Sequence, residues 1–176
     1  MALCTVGDAR GKEPLLADLR STLEQIRAAA EPQVSRNHKG RDSSGPELVE
    51  RAEDELAALR PMADKAMADQ LLPLLDNKAL EEWVPDSVAC GVVRILEGAA
   101  DPSYFDPLFN LLINKVGHRS SLRQPVIRAL GAVGDKRAFD PIRRLLKGWP
   151  NDSYYADTRL VAYRSMLQCD RERAYD

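Results

Sequence analysis

Apolar residues recur along this chain at helical spacing. From Glu13 to Ala30 the positions Leu15, Leu16, Leu19, Leu23, Ile26 and Ala30 fall mostly three and four apart, which predicts an amphipathic helix closed by Pro32. The polar run Ser35 to Gly45 has no period, so residues 31–45 read as a flexible linker. A second helix is expected from about Pro46, a residue that suits a first helical turn because its missing N–H has no partner to lose there. That helix carries Leu48, Val49, Ala52, Leu56 and Leu59.

Further along, the pattern repeats itself. Val92 to Ile113 and Val126 to Lys147 superimpose at an offset of 34 residues, with nine of 22 positions identical. The shared residues are Val92/Val126, Arg94/Arg128, Leu96/Leu130, Asp101/Asp135, Phe105/Phe139, Asp106/Asp140, Pro107/Pro141, Leu111/Leu145 and Leu112/Leu146. A period of this length marks stacked helical hairpins, each burying its apolar face only against its neighbours. In the later unit, helix A is expected over Gln124 to Val133. Gly134 then supplies a left-handed turn and Asp135 caps helix B; the earlier unit uses Asp101 followed by Pro102. Pro107 and Pro141 lie six residues past the capping aspartate, which predicts a loose or 3₁₀ start to helix B, regular after the proline. At an offset of 37, Leu59, Asp64, Leu71, Leu74 and Leu75 outline an earlier degenerate unit. Thr158 to Gln168, with Leu160, Val161, Tyr163, Met166 and Leu167, reads as a helix A without its helix B, a terminal cap.

The run VIRALGAVGDKRAFDPIRRLL, Val126 to Leu146, resembles the short HEAT-like repeat of the phycobilisome-lyase type. Its hallmarks are Ala129-Leu130-Gly131, Gly134-Asp135 and Asp140-Pro141-Ile142; the upstream unit keeps Asp101 and Asp106-Pro107-Leu108 but has Glu97 and Ala100 at the two glycine positions. The resemblance covers roughly Ala52 to Met166. It implies an all-α fold, a right-handed α-solenoid of HEAT-like hairpins preceded by the N-terminal amphipathic helix. The expected organisation is an N-terminal helix and linker over 1–45 and a repeat domain over 46–176, with units of about 46–76, 86–114 and 122–148 and a cap helix over 158–168. Tetratricopeptide repeats share the period, but their Trp, Tyr and terminal Pro positions are not filled here.

Composition supports this picture and sharpens it. The chain has 44% hydrophobic but only 6% aromatic residues, which suits aliphatic helix ridges better than sheet. No apolar run approaches membrane-spanning length and the start has no secretory pattern, so no membrane partner and a cytoplasmic location are expected. The net charge of −2 hides strong sectoring: residues 44–114 carry five Lys+Arg against fourteen Asp+Glu, and 115–148 carry nine against two. Such sectoring bears on partner choice rather than fold.

In HEAT-like solenoids the B helices line the concave face, and the repeat alignment shows which of their positions point outward. In the last full unit these are Arg143, Arg144 and Lys147, one unit upstream Phe109, Asn110 and Ile113, and in the degenerate unit Leu72, Pro73 and Asp76. The expected partner-binding set is therefore Leu72, Phe109, Asn110, Ile113, Arg143, Arg144 and Lys147. Apolar groups at repeated outward positions suit a protein partner, unless the N-terminal helix covers them.

The basic cluster Arg119, Arg123, Arg128, Lys136, Arg137, Arg143, Arg144 and Lys147 also invites a nucleic-acid reading. Against it stand the chain's pI of about 5.8 and the absence of interleaved aromatics. Arg128 sits at the repeat position of Arg94, which suggests a ladder of ion pairs with the turn aspartates Asp101 and Asp135.

Catalytic chemistry has little support. His38 and His118 are the only histidines and neither belongs to a nucleophile motif. Gly131-Ala-Val-Gly134 lacks the residues of a phosphate loop. The pairs Glu81-Glu82 and Asp54-Glu55 are ordinary on exposed helices. Cys4, Cys90 and Cys169 form no metal or disulfide spacing; Cys90 reads as a core thiol and Cys169 as an exposed one. Trp83 and Trp149 fall at unit junctions, where packing is their expected role. The expected function is a non-enzymatic scaffold, adaptor or inhibitor-type module that binds another protein through its concave B-helix face, without metal or cofactor. Nucleic-acid binding through the basic repeat is one alternative. A bilin lyase or chromophore chaperone, which the resemblance allows, is another.

Overall fold

The turn between paired helices is built the same way in both repeats. Asp101 and Asp135 are extended residues whose carboxylates accept hydrogen bonds from the backbone N–H of Ser103 and Arg137, at 2.9 and 2.8 Å. Each satisfies a donor that the helix start would otherwise leave unpaired. Immediately before them stand the left-handed residues Ala100 (φ 47°) and Gly134 (φ 71°). Their N–H groups close the preceding helices on Leu96 and Leu130 carbonyls at 3.0 and 3.1 Å. Alanine and glycine therefore adopt one conformation at equivalent positions, and only glycine does so without steric cost.

One 3₁₀ turn follows each cap, over Pro102–Tyr104 and Lys136–Ala138, and regular helix begins at Phe105 and Phe139. The expected 3₁₀ start is there, but α-helix resumes two residues before Pro107 and Pro141. Both prolines occupy the first turn, where no intrahelical N–H bond is lost.

A computed structural model describes residues 11–30, 44–114, 120–148 and 156–174. Cys4, His38, His118, Arg119, Trp149 and most of the expected linker lie outside them. Among the described residues there are nine α-helices and no strand: α1 Lys12–Ala30, α2 Ser44–Leu59, α3 Lys65–Leu71, α4 Asn77–Glu82, α5 Asp86–Ala99, α6 Phe105–Asn114, α7 Ser120–Val133, α8 Phe139–Gly148 and α9 Ala156–Cys169. The chain forms two compact units, Met1–Ile95 and Leu96–Asp176, with the division inside α5.

In the first unit α1 packs on α2. Leu16, Leu19, Leu23 and Ile26 are buried from α1, and Ala52, Leu56 and Leu59 from α2. Glu55 departs from the exposed position expected of it: it is 9% exposed, its Oε1 receives Arg51 Nε at 2.9 Å and lies 3.3 Å from Thr22 Oγ1. Its Oε2 is buried and finds no partner among the described residues. Asp64 caps α3 through Met67 N at 2.9 Å and pairs with Lys12. That pairing holds its carboxyl below the usual carboxylate range. The degenerate helix B is broken: after α3 comes a 3₁₀ turn, Leu72–Leu75, containing Pro73, and Asp76 then caps α4 through Lys78 N. The degenerate unit thus has no continuous helix B, yet Pro73 and the cap Asp76 are exposed as the repeat alignment expects, while Leu72 is half-buried in the 3₁₀ turn.

In the second unit α7 packs against α6 and α9, and α9 also meets α8. Helix α7 starts at Ser120, four residues before the expected Gln124, and runs through Pro125. Gly131 is where α9 comes closest. A Cβ placed on it would stand 2.7 Å from Ser165 Cβ and Oγ and 2.5 Å from Gln168 Oε1. Helix α9 accordingly buries Thr158, Ala162, Ser165, Met166 and Cys169. Of the apolar residues that mark this helix in the sequence, Leu160, Val161, Tyr163, Met166 and Leu167, only Met166 is buried. A surface cut by glycine admits small residues, so α9 turns its small side chains inward and leaves Leu160, Tyr163 and Leu167 exposed. Gln124 Nε2 donates to Thr158 Oγ1 at 2.8 Å across the same interface.

Two outcomes are expected in chemical denaturation. Ala100→Gly raises stability by about 0.5–1 kcal/mol, since it relieves a left-handed alanine, and Gly134→Ala lowers it by about 1–2 kcal/mol; effects of the same sign would contradict the shared turn geometry. Gly131→Ala costs about 1–3 kcal/mol by overpacking against Ser165, and a neutral result would show that α9 has room to retreat.

Candidate functional site

On α6 the core positions Phe105, Leu108, Leu111 and Leu112 are buried, while Asn110 is exposed and Ile113 is 60% exposed. Phe109 is half-buried: its ring stacks on Phe105 with centroids 5.3 Å apart. Much of its surface is thereby used within the unit. On α8 the buried residues are Phe139, Ile142 and Leu146, and Arg143, Arg144 and Lys147 are exposed. The outward register thus holds on α6 for Asn110 and Ile113 and on α8 for all three cations, both helices belonging to the second unit. Leu72 belongs to the first unit. The apolar stripe of α1 packs on α2 within that first unit.

The repeat carries an arginine ladder, on different rungs from those expected. Arg128 reaches Glu97 at 3.9 Å, while the turn aspartate Asp135 pairs with Arg137, whose Nη2 lies 2.8 Å from Oδ2. The same guanidinium lies 3.3 Å from Asp106 and 4.0 Å from the Phe105 ring centroid. One unit later Arg173 repeats the pattern, 2.8 Å from Asp140 and 4.5 Å from the Phe139 centroid. Each Phe-Asp pair is therefore capped by an arginine from the turn that follows the next helix A. Cation–π contact and ion pairing act on one group. The Arg137 guanidinium keeps the Asp135 carboxyl below its ordinary range, and Asp135 raises the pKa of Arg137.

Between α8, α9 and the turn after α9 lies a groove of about 350 Å³. Phe139, Leu146 and Met166 form its buried floor, and Tyr163, 50% exposed, stands on the α9 wall. Arg143 and Lys147 line it from α8, Arg159 from α9 and Arg173 from the terminal turn. Among the described residues no carboxylate lines it. Two of these cations belong to the expected site; Arg159, Tyr163, Met166 and Arg173 do not. Their only sequence signal was weak, because residues 149–176 carry balanced charge and the basic character appears only when α8 is placed beside α9.

Cys169 is buried rather than exposed, with its thiol 3.7 Å from the Leu130 carbonyl oxygen. Burial pushes its pKa up to about 11, which keeps the thiol protonated and unreactive at neutral pH. Cys90 is half-buried and its pKa is raised mainly by desolvation. Trp83 sits half-buried in the turn after α4. No helix among the described residues is long and apolar enough to cross a membrane.

No curated protein and no solved structure is significantly similar to the chain. The PBS lyase HEAT-like repeat family matches residues 125–148, which cover the last nine residues of α7, the Gly134-Asp135 turn and all of α8. The matched segment contains Gly131, the Asp135 cap and the outward cations Arg143, Arg144 and Lys147. This one segment is similar to a PBS lyase HEAT-like repeat, and the match supports reading the chain's repeated helical hairpins as HEAT-like.

Proposed function

We propose that this chain is a non-enzymatic protein-interaction module whose second unit binds its partner through the outward face of the B helices α6 and α8, the concave side of a HEAT-like solenoid. One observation carries this reading. Most residues identical in the two repeats cap turns, pack in the core or join the arginine ladder, whereas the outward B-helix pairs Asn110/Arg144 and Ile113/Lys147 differ in kind and stand in solvent, as does Arg143. Asn110, Ile113, Arg143, Arg144 and Lys147 have no structural task that would select them, and an isoleucine left 60% exposed is a contact surface in waiting. A scaffold, adaptor or inhibitor-type role follows from a surface that binds without reactive groups.

The exposed cations of α8 favour nucleic acid as a second reading, and salt dependence separates the two. Phosphate binding weakens steeply with salt because each neutralised phosphate releases counterions. Binding centred on Ile113 is salt-tolerant.

Ile113→Asp is expected to weaken a partner recovered by affinity capture about tenfold or more, with an unchanged circular dichroism spectrum because the side chain already faces water. Unchanged affinity would remove α6 from the binding face. Arg143→Glu with Arg144→Glu, assayed against duplex DNA between about 50 and 200 mM salt, is expected to reveal no specific binding to lose. Salt-sensitive binding abolished by the substitutions would replace the protein reading with the nucleic-acid one.

A further inference from the structure

The groove between α8 and α9 has a composition that the turn, core and ladder do not require. Its floor is apolar and its rim is cationic on both walls, Arg143 and Lys147 on one and Arg159 on the other. Among the described residues no carboxylate pairs with Arg143 or Lys147. Arg143 and Lys147, uncompensated among the described residues beside an apolar floor, suit a complementary ligand with a hydrophobic ridge flanked by carboxylates.

The repeat supplies the shape of that ligand. Helices α5 and α7 are each followed by an aspartate-capped turn and then a helix B. Helix α9 leads into a turn of its own, in which Asp170 accepts from Arg173 N at 3.3 Å and its carbonyl from Ala174 N at 3.2 Å, and Arg173 completes the ladder on Phe139. A helix packed beside α8 and α9 would repeat the pairing of helices A and B, and among the described residues none lies in the groove, where Tyr163 is half exposed and Arg143 and Lys147 are in solvent.

We propose that this groove seats an acidic amphipathic helix from a partner protein. The apolar ridge of that helix rests on Phe139, Leu146, Met166 and Tyr163, and its flanking Asp and Glu side chains meet Arg143, Lys147 and Arg159. This names the partner class for the protein-binding reading and rests on that reading. An apolar floor between two cationic walls suits a helix better than a phosphate backbone, which needs cations in a row and gains nothing from buried methionine and leucine. At about 350 Å³ the groove takes a short row of apolar side chains and lies at the small end of ligand pockets, roughly 300–1,000 Å³. Its helix-in-groove geometry sets anchors at i, i+3, i+4 and i+7.

The test uses the full chain with isotope-labelled methyl groups and a synthetic peptide of about 18 residues, leucine at i, i+3, i+4 and i+7 spacing and glutamate with alanine elsewhere. Two controls accompany it, the same peptide with lysine for glutamate and a scrambled acidic peptide. The acidic helix is expected to shift the Leu146 and Met166 methyl resonances with saturable binding, and Arg143→Glu with Lys147→Glu to weaken it at least tenfold, while both controls bind tenfold or more weakly. Tyr163→Ala, a substitution in solvent, weakens it severalfold without unfolding. Equal binding of the lysine or scrambled peptide, or no shift at Leu146 and Met166, overturns the groove assignment. If the Ile113 methyl shifts in its place, the protein-binding reading survives and the groove does not. If a single-stranded or duplex DNA shifts the α8 resonances and no peptide does, both fall.

Discussion

Helix α9 can lie on α7 as closely as it does because position 131 has no side chain. The approach is tight enough that a Cβ there would come within 2.7 Å of Ser165 Cβ, an atom fixed to the backbone and unable to swing aside. Much of the second unit follows from that crossing. It dictates which face of α9 turns inward, selecting Thr158, Ala162 and Ser165 over the larger Leu160, Tyr163 and Leu167. It buries Cys169 against Leu130 and sets α9 beside α8, so that a cationic rim and an apolar floor converge on one groove. The upstream unit has Glu97 at the same repeat position, and there Arg128 reaches across to its carboxylate at 3.9 Å. One interface is joined by close backbone packing, its counterpart by an ion pair.

Electrostatics in this unit does two jobs that the sequence alone does not separate. Arg137 and Arg173 are consumed by structure, each held between an aspartate and an aromatic ring of the preceding hairpin. Arg143, Arg144 and Lys147 belong to the same basic segment and lie in solvent. A surplus of positive charge over residues 115–148 is thus partly a ladder and partly a surface. Exposed pairs of this sort contribute little to stability individually, but an arginine fixed on a phenylalanine ring also fixes the register of successive turns.

What could be read from the sequence was what repeats. Asp101 and Asp135 as caps, the buried Phe105, Leu108, Phe139 and Ile142, and the outward Ile113, Arg143 and Lys147 all follow from two aligned copies. What escaped depends on tertiary approach. Leu160 and Tyr163 mark α9 as a helix in the sequence without saying which side packs, and the packed face is chosen by how closely α7 comes. Glu55 looked like one of a pair of surface carboxylates, yet its place between α1 and α2 buries it. The degenerate unit kept the spacing of its leucines while Pro73 broke the helix that spacing implied. The groove residues Arg159, Tyr163 and Arg173 lie past the last full repeat, where no second copy marks which positions are core and which are free.

The close crossing of α7 and α9 is most directly tested by a double-mutant cycle on Gly131→Ala and Ser165→Gly, read by reversible denaturation. If the crossing is limited by these two positions, removing the Ser165 side chain makes room for the added methyl group. The pair then loses less stability than the two single changes together, by about 1 kcal/mol or more. Strictly additive losses would contradict the account, because they would mean that α9 is not held against α7 at Gly131.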